Sequence, residues 1–340
     1  MRSPMSIKRT ARTVVCLLAA MLLWLCPVSL TGCSGEIYDP SVGTLELVEG
    51  DSKGPLELPT EAPTGSVIQI PDTDPFENAP HVLRADFLNT GDSDAILLRM
   101  GSTVILVDTG EADDYGRISE KLNEYGLTTI HHLIITHFDN DHIGAMPQLL
   151  QHYEVGTVYM PDYVRDSSLY RRMMSTLEVL PAVTVRRITE DVHLELDYGS
   201  LWINPTGLYE PGMTLGSDES HALEENNFSL ITTVNFGDIS LLLAGDAEQD
   251  RITEFMGLST EGMAYDVIKI PHHGGYDKAL AELLRRNAGL RYCMVHVGRG
   301  SPVEASLVTA MRASGAAAKY TRDGDIAFAT DGVSMTVTQD

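Results

Sequence analysis

The segment Thr136-His137-Phe138-Asp139-Asn140-Asp141-His142 directly follows the apolar run Leu133-Ile134-Ile135. The apolar run predicts a buried strand, and the change to polar residues predicts a loop where that strand ends. The loop carries two imidazoles and two carboxylates, and a divalent cation needs several such ligands at about 2 Å. An ordinary polar turn would account for the Asp and Asn residues but not for two histidines at fixed offsets. The spacing therefore predicts a metal site.

Three more segments carry polar or glycine residues directly after a predicted strand. They are Val107-Asp108-Thr109-Gly110, Leu243-Ala244-Gly245-Asp246 and Ile270-Pro271-His272-His273-Gly274-Gly275. Strand ends are rigid and converge in space, and the glycines allow the backbone to turn tightly. Each segment alone is a weak signal, but together with the first loop they predict one shared site.

The sequence pattern from residue 81 to residue 340 is typical of a folded α+β domain. Short apolar runs predict strands, and wider apolar spacing predicts helices between them. Strands are predicted at 82–88, 95–100, 103–107, 130–136, 155–160, 228–234 and 239–244, with further strands toward the C-terminus; helices are predicted at 112–126, 143–152, 166–177, 247–256 and 278–287. This order fits two sheets covered by helices.

The N-terminal segment has the pattern of an export signal. Four basic residues precede an apolar run from Val14 to Leu25, and Leu30-Thr31-Gly32-Cys33 looks like a bacterial lipobox. In this interpretation, residues 1–32 are a lipoprotein signal peptide and Cys33 carries a lipid that anchors the protein. The alternative is a transmembrane anchor. We predict an extracytoplasmic, lipid-anchored protein at the cell membrane.

Residues 33–80 are rich in Pro, Gly, Thr, Asp and Glu, which predicts a disordered tether. After removal of the signal and lipidation of Cys33, only Cys293 would remain, so no internal disulfide is expected. Cys293 lies in an apolar run and is predicted to be buried.

The charge of the chain limits its partners. It has 24 Lys and Arg against 48 Asp and Glu. Removing residues 1–32, which hold four basic and no acidic residues, would leave 20 against 48, a net charge of −28. Affinity for polyanions normally comes from Lys and Arg, so nucleic acid is a possible but disfavoured partner.

The four segments, in this order, resemble the metallo-β-lactamase-fold hydrolases. The similarity is greatest to the branch found as the extracytoplasmic hydrolase domain of ComEC-type DNA-uptake proteins. It covers about residues 81–338 and includes Asn226-Asn227-Phe228-Ser229-Leu230 and Lys269-Ile270-Pro271-His272-His273-Gly274. Asp139 stands where most of the superfamily has a second histidine, as in this branch. The resemblance implies a four-layer αββα sandwich and a metallo-β-lactamase-like hydrolase domain over residues 81–340.

The resemblance also implies two divalent metal ions. Its implied ligands are His137 and Asp139 for the first ion, Asp141, His142 and His272 for the second, and Asp246 bridging both. Asp108 would support the ligand loop from below. Oxygen-rich ligands with a few imidazoles suit either Zn²⁺ or Mn²⁺.

Three residues are candidates for catalysis. Asp141 could exchange between ligation and proton transfer, and Lys269 and Asn227 stand where they could face the substrate. The structural alternatives are an extended surface lysine for Lys269 and a turn residue for Asn227. His296 ends a predicted strand near the expected edge of the site and could contact substrate.

The resemblance predicts a metal-dependent hydrolase that acts on a small or polymeric phosphodiester, as a phosphodiesterase or nuclease-like enzyme. The alternatives are hydrolysis of a lactam, lactone or thioester bond, and a non-catalytic metal-binding surface lipoprotein. The branch's opening motif appears here as Asn89-Thr90-Gly91-Asp92-Ser93-Asp94, in which only Gly91 and Asp94 match. This departure lies at the substrate edge, so the substrate is left open. The oligomeric state is also left open.

Overall fold

The computed structural model describes residues 75–216, 225–258 and 263–339. The predicted signal peptide, the lipobox and nearly all of the predicted tether lie outside these residues. Residues 75–78 form a turn in which Phe76 is buried and its carbonyl accepts a hydrogen bond from the Ala79 amide.

Seventeen strands and seven α-helices make up the described fold. The strands are β1 Leu83–Phe87, β2 Ile96–Met100, β3 Thr103–Val107, β4 Thr129–Ile134, β5 Glu154–Pro161, β6 Tyr163–Arg165, β7 Thr184–Ile188, β8 Val192–Leu196, β9 Gly199–Asn204, β10 Met213–Leu215, β11 Ile231–Phe236, β12 Ile239–Leu243, β13 Val267–Lys269, β14 Tyr292–Val295, β15 Ala317–Tyr320, β16 Ile326–Thr330 and β17 Met335–Gln339. The helices are α1 Tyr115–Glu124, α2 Asn140–Ile143, α3 Met146–His152, α4 Ser168–Glu178, α5 Gln249–Gly257, α6 Lys278–Arg286 and α7 Ala305–Ser314.

The strands form two large sheets and one small one. The first sheet has the order β17-β16-β1-β2-β3-β4-β5-β7, and the second has the order β15-β14-β13-β12-β11-β9-β8. In each sheet one half is antiparallel and the other half is parallel, the parallel halves being β3-β4-β5-β7 and β12-β13-β14-β15. Strands β6 and β10 pair in parallel as a separate ribbon.

Alternating side chains of the strands build three apolar layers. In β2 and β3, Ile96 and Ile105 face the second sheet, whereas Leu97 and Leu106 face the helices α1–α4. The second sheet packs its other face against α5, α6 and α7, with Leu242 in that layer. The result is the four-layer αββα sandwich, so the predicted fold class is confirmed.

The parallel halves of both sheets end at the candidate site. Asp108 follows β3, the ligand loop follows β4, Asp246 follows β12, and His272 and His273 follow β13. The carboxyl ends of parallel strands are the usual place for a ligand site in a sheet. The expectation that the four segments converge is therefore met by the topology.

The predicted elements recur with small differences in their bounds. The predicted hairpin at 228–244 is β11 and β12 with a tight turn at Gly237-Asp238. The predicted helix 143–152 is divided into α2 and α3, and the β6–β10 ribbon was not predicted. Cys293 is buried, as predicted, and burial raises the pKa of its thiol to about 12. Across the ranges that the structure describes, none of the helices combines the length and apolar character that crossing a bilayer requires.

Candidate metal centre

Four side chains from three loops meet at one point. One ligand atom from each of Asp141, His142, Asp246 and His273 lies within 4.8 Å of the others. The Asp246 carboxylate is 3.3 Å from Nε2 of His142 and 3.2 Å from Nε2 of His273, which is also 3.2 Å from the Asp141 carboxylate. His142 and Asp246 are buried, while Asp141 and His273 are partly exposed. The cluster therefore has a closed base and an open side.

Asp108 lies beneath the ligand loop and fixes it. Its carboxylate accepts hydrogen bonds from the amide and the hydroxyl of Thr136 at 2.8 and 2.7 Å, and lies 2.8 Å from Nδ1 of His142. This contact holds the imidazole so that its other nitrogen, Nε2, points to the cluster. Asp108 has a φ of 58°, an uncommon conformation for a non-glycine residue that often marks functional sites.

His137 and Asp139 lie beside the four-residue cluster. Nε2 of His137 is 3.6 Å from the Asp139 carboxylate, and the His137 and His142 rings are 4.0 Å apart. Nε2 of both histidines is buried without a hydrogen-bond partner among the described residues. Buried polar atoms normally have partners, so a cation between these nitrogens and the carboxylates fits the residues present. His137, Asp139, Asp141, His142 and Asp246 are thus brought together as expected.

His273, rather than His272, joins the cluster, which corrects the expected ligand set. Nδ1 of His272 is 3.0 Å from the Glu248 carboxylate, and the His272 side chain is 44% exposed. Both histidines have a φ of 50°, so the chain turns in the left-handed region and the two rings point in different directions. The His-His pair in the sequence did not indicate which ring faces the metal site.

We expect His273→Ala to lose metal and His272→Ala to retain it. Removing the His273 imidazole takes one of four ligands from the cluster, which should weaken metal affinity at least 10- to 100-fold, the usual range even for supporting residues. Metal content measured by inductively coupled plasma mass spectrometry after dialysis would check this. Equal metal loss in both variants would contradict the assignment.

Lys269 does not face the substrate side, contrary to the expectation from the sequence. Its side chain is fully buried, and Nζ forms an ion pair with Asp94, donates to the Gly245 carbonyl at 2.8 Å and lies 3.4 Å from Asp246. Burial acts against its charge, but Asp94 and Asp246 outweigh this and raise the pKa of Lys269. Lys269 therefore supports the base of the site.

His296 differs from expectation, and Asn227 has a structural contact. His296 is fully buried behind the cluster, 3.4 Å from Asp94, and burial lowers its pKa to about 4. The Asn227 side chain accepts a hydrogen bond from the Arg251 amide at 3.0 Å, in the first turn of α5. The Oδ1 atom of Asn227 therefore orients a helix, and His296 is too deeply buried to contact substrate.

The sequence interpretation missed a second group of charged residues at the site. Glu225 is fully buried, accepts a hydrogen bond from the Tyr163 hydroxyl at 2.6 Å, and lies 2.9 Å from Nε of Arg165. Nη2 of Arg165 is 3.7 Å from the Asp139 carboxylate. Burial and the nearby Asp139 raise the pKa of Glu225 to about 7. An acidic residue directly before Asn226-Asn227 was the available sequence signal for this group.

A second acidic cluster has a structural explanation. Ligand atoms of Asp94, Asp108 and His142 also lie within 4.8 Å of one another, and all three residues are buried. However, Asp94 pairs with Lys269, and Asp108 accepts hydrogen bonds from Thr136. These contacts give both carboxylates a structural role, so this cluster supports the loop rather than offering a separate metal site.

The carboxylates of the cluster raise the pKa of its imidazoles. Burial acts to lower the pKa of His273, but Asp246 and Asp141 outweigh it and raise that pKa to about 10. Burial opposes charge on His142 as well, yet Asp246 and Asp108 raise its pKa well above its ordinary value. Against the effect of burial, the charge of His142 and a hydrogen bond from His273 lower the pKa of Asp141 to about 2.

We expect metal binding to release protons and to strengthen as pH rises. Nearby carboxylates raise the pKa of both His142 and His273, so a metal ion must compete with protons for these imidazoles. Calorimetric titration of Zn²⁺ in two buffers with different ionisation enthalpies should report the release of about one to two protons per ion. A binding enthalpy independent of the buffer would contradict this expectation.

The sequence matches the Metallo-beta-lactamase superfamily over residues 88–293. It is also 24% identical over 199 residues to the ComE operon protein 3 of Bacillus subtilis (strain 168). The match covers 54% of this chain and 24% of that protein, so the chain spans about a quarter of that relative's length.

Solved structures with related folds have low sequence identity to this chain. The metallo-β-lactamase fold protein YhfI of Bacillus subtilis is 14% identical, with a TM-score of 0.47, covering 74% of this chain and 100% of that one. A diphosphatase of the PhnP family is 13% identical, with a TM-score of 0.36 and coverages of 71% and 86%. Human tRNase Z, short form, is 14% identical, with a TM-score of 0.37 and coverages of 68% and 89%.

Proposed function

This chain belongs to the metallo-β-lactamase superfamily, a superfamily of metal-dependent hydrolases, and we propose that it hydrolyses phosphodiester bonds. The observation that carries the proposal is the set of carboxylates and imidazoles that converge from three strand ends on one open-sided point. Asp141, His142, Asp246 and His273 would hold one divalent ion there. His137 and Asp139 would hold a second beside it, with Asp246 between the two.

A bound divalent ion lowers the pKa of water toward neutrality and offsets the charge that develops on a phosphoryl group. The residues of the chain supply the geometry for this. Asp108 orients His142, and Lys269 holds Asp246 from the buried side. Asp141 has a pKa of about 2, so it remains ionised near neutral pH, which favours ligation over proton transfer for this residue.

The donor set supports both candidate metals. Carboxylate oxygens suit Mn²⁺, and imidazole nitrogens suit Zn²⁺. Among the described residues, the cluster contains no cysteine, so its ligands are not those of a thiolate-rich zinc site. We therefore propose two ions of Zn²⁺ or Mn²⁺, with the Asp141–His142–Asp246–His273 cluster as the better-formed of the two sites.

The test is a substrate panel on protein loaded with each metal in turn. Bis(p-nitrophenyl) phosphate, a linear DNA duplex, a chromogenic β-lactam, a lactone and a thioester would be compared, with and without a chelator. Hydrolysis of the phosphodiester that is lost on chelation and restored by metal supports the proposal. Turnover of only the lactam, lactone or thioester would favour the second enzyme class. No turnover by a metal-loaded protein would favour a binding role.

We propose that the mature protein is attached outside the cytoplasmic membrane through a lipid on Cys33. The motif Leu30-Thr31-Gly32-Cys33 and the basic and apolar residues before it support this. Metabolic labelling with palmitate in a bacterial host should label the unaltered protein and not Cys33→Ala. Equal labelling of both proteins would contradict the proposal.

A further inference from the structure

Arg165 is a buried cation at the rim of the candidate metal centre. It is 9% exposed and lies at the end of β6, in the small ribbon that β6 forms with β10. It lines a cavity of about 290 Å³ whose other walls are Phe138, Asp139, Asn140, Asp141 and Ser167. Two of these residues, Asp139 and Asp141, are proposed metal ligands, so the cavity adjoins the place where the reaction would occur.

The contacts of the guanidinium leave one nitrogen for a ligand. Nε is 2.9 Å from the Glu225 carboxylate, and Nη1 donates to the Gly216 carbonyl at 2.7 Å. Nη2 is 3.7 Å from the Asp139 carboxylate, which is longer than a hydrogen bond. Two nitrogens thus hold the guanidinium in place, and the third lies at the wall shared with Asp139.

Glu225 fixes the direction of Arg165. Its carboxylate is fully buried and is itself held by the Tyr163 hydroxyl, which also accepts a hydrogen bond from the Phe138 amide in the ligand loop. Burying such an ion pair costs desolvation energy that its attraction barely repays. Stability alone therefore gives little reason for this pair, whereas fixing a guanidinium beside a reaction site does.

Arg165 is a cation that a substrate could reach beside the proposed ions. Lys269, by contrast, is fully buried and engaged with Asp94 and the Gly245 carbonyl. Arginine suits phosphoryl oxygens because its planar, weakly hydrated guanidinium forms directed, charge-assisted hydrogen bonds.

We propose that Arg165 binds a non-reacting oxygen of a phosphoryl substrate through Nη2, in the cavity beside Asp139 and Asp141. The assignment of a phosphoryl group rests on the proposed function. Ser167 lines the same cavity, and its hydroxyl oxygen accepts from the Tyr170 amide at 3.1 Å, which leaves its proton free to donate. Arg165 and Ser167 would thus provide two donors in the lining of that cavity.

The test is the binding of inorganic phosphate to the zinc-loaded, full-length protein, measured by isothermal titration calorimetry. Arg165→Gln should raise the dissociation constant for phosphate about 10- to 100-fold. This fold-change corresponds to the free energy that a hydrogen bond to a charged group contributes. Metal content and melting temperature are measured first, and phosphate is titrated only at equal metal loading. Arg165→Lys carries the test if Arg165→Gln is poorly folded, because lysine keeps the charge but cannot bind Glu225 and phosphate together.

Arg171→Gln is the matched control, because it changes the net charge by the same amount as Arg165→Gln. Arg171 is exposed on α4 and pairs with Asp166. Its phosphate affinity should stay within twofold of the unaltered protein. The proposal would be overturned if both Arg165 variants bound phosphate with the affinity of the unaltered protein. It would also be overturned if the unaltered protein bound no phosphate at millimolar concentrations. Arg165-dependent phosphate binding without phosphodiester hydrolysis would instead reject the proposed function and keep this site.

Discussion

Replacing Asp246 by Asn should lower kcat/KM for metal-dependent hydrolysis by about 1000-fold, equivalent to about 4 kcal/mol of activation free energy. The Asp246 carboxylate lies 3.3 Å from Nε2 of His142 and 3.2 Å from Nε2 of His273, so it contacts both imidazoles of the cluster. Asparagine keeps the shape but removes the charge and one strong oxygen ligand. The variant should therefore also lose bound metal at equilibrium.

Asp250→Asn is the matched control for this substitution. Asp250 is exposed in the first turn of α5, four residues further along the same segment. It should keep both metal content and kcat/KM within twofold of the unaltered protein. If Asp246→Asn retained metal and hydrolysed substrate at a comparable rate, Asp246 would not be a ligand and the proposed centre would be wrong.

Replacing Lys269 by Met should lower the free energy of unfolding by about 3–5 kcal/mol. The substitution removes the buried positive charge between Asp94 and Asp246, and it leaves both carboxylates without that cation. Methionine fills a similar volume, so lost packing contributes little. Chemical denaturation of the metal-free protein, followed by circular dichroism, would measure the loss.

Two further variants separate this effect from a general one. Lys278→Met, on the exposed side of α6, should change the unfolding free energy by less than about 0.5 kcal/mol. Lys269→Met combined with Asp94→Asn should recover part of the loss, because one uncompensated buried charge is removed. If Lys269→Met had nearly the unfolding free energy of the unaltered protein, the structural role of Lys269 would be contradicted. A role in contacting substrate would then be favoured instead.

The sequence predicted the features that depend on local patterns. Apolar runs of strand length located the main strands, and polar loops after four of them located the site, because parallel strands bring their carboxyl ends to one edge. The resemblance to the metallo-β-lactamase-fold hydrolases added the prediction of a four-layer αββα sandwich. The structure then placed five of the six expected ligand residues in or beside the cluster at that edge: His137, Asp139, Asp141, His142 and Asp246.

The sequence could not predict features that depend on backbone handedness and on distant contacts. His272 and His273 are adjacent, and only the left-handed turn there decides which ring reaches the cluster. Lys269 ends a strand, a position that fits either an exposed or a buried side chain, and its partner Asp94 is 175 positions away in the chain. Arg165 lies in a three-residue strand whose pattern is too weak to be recognised, and its partner Glu225 is 60 positions away in the chain.

The most direct test of the central claim is anomalous X-ray scattering from crystals of the zinc-loaded protein, collected on both sides of the zinc absorption edge. The account predicts a strong peak about 2 Å from ligand atoms of Asp141, His142, Asp246 and His273. It also predicts a second peak beside His137 and Asp139. Anomalous peaks located away from these side chains, with none inside the four-residue cluster, would contradict the account.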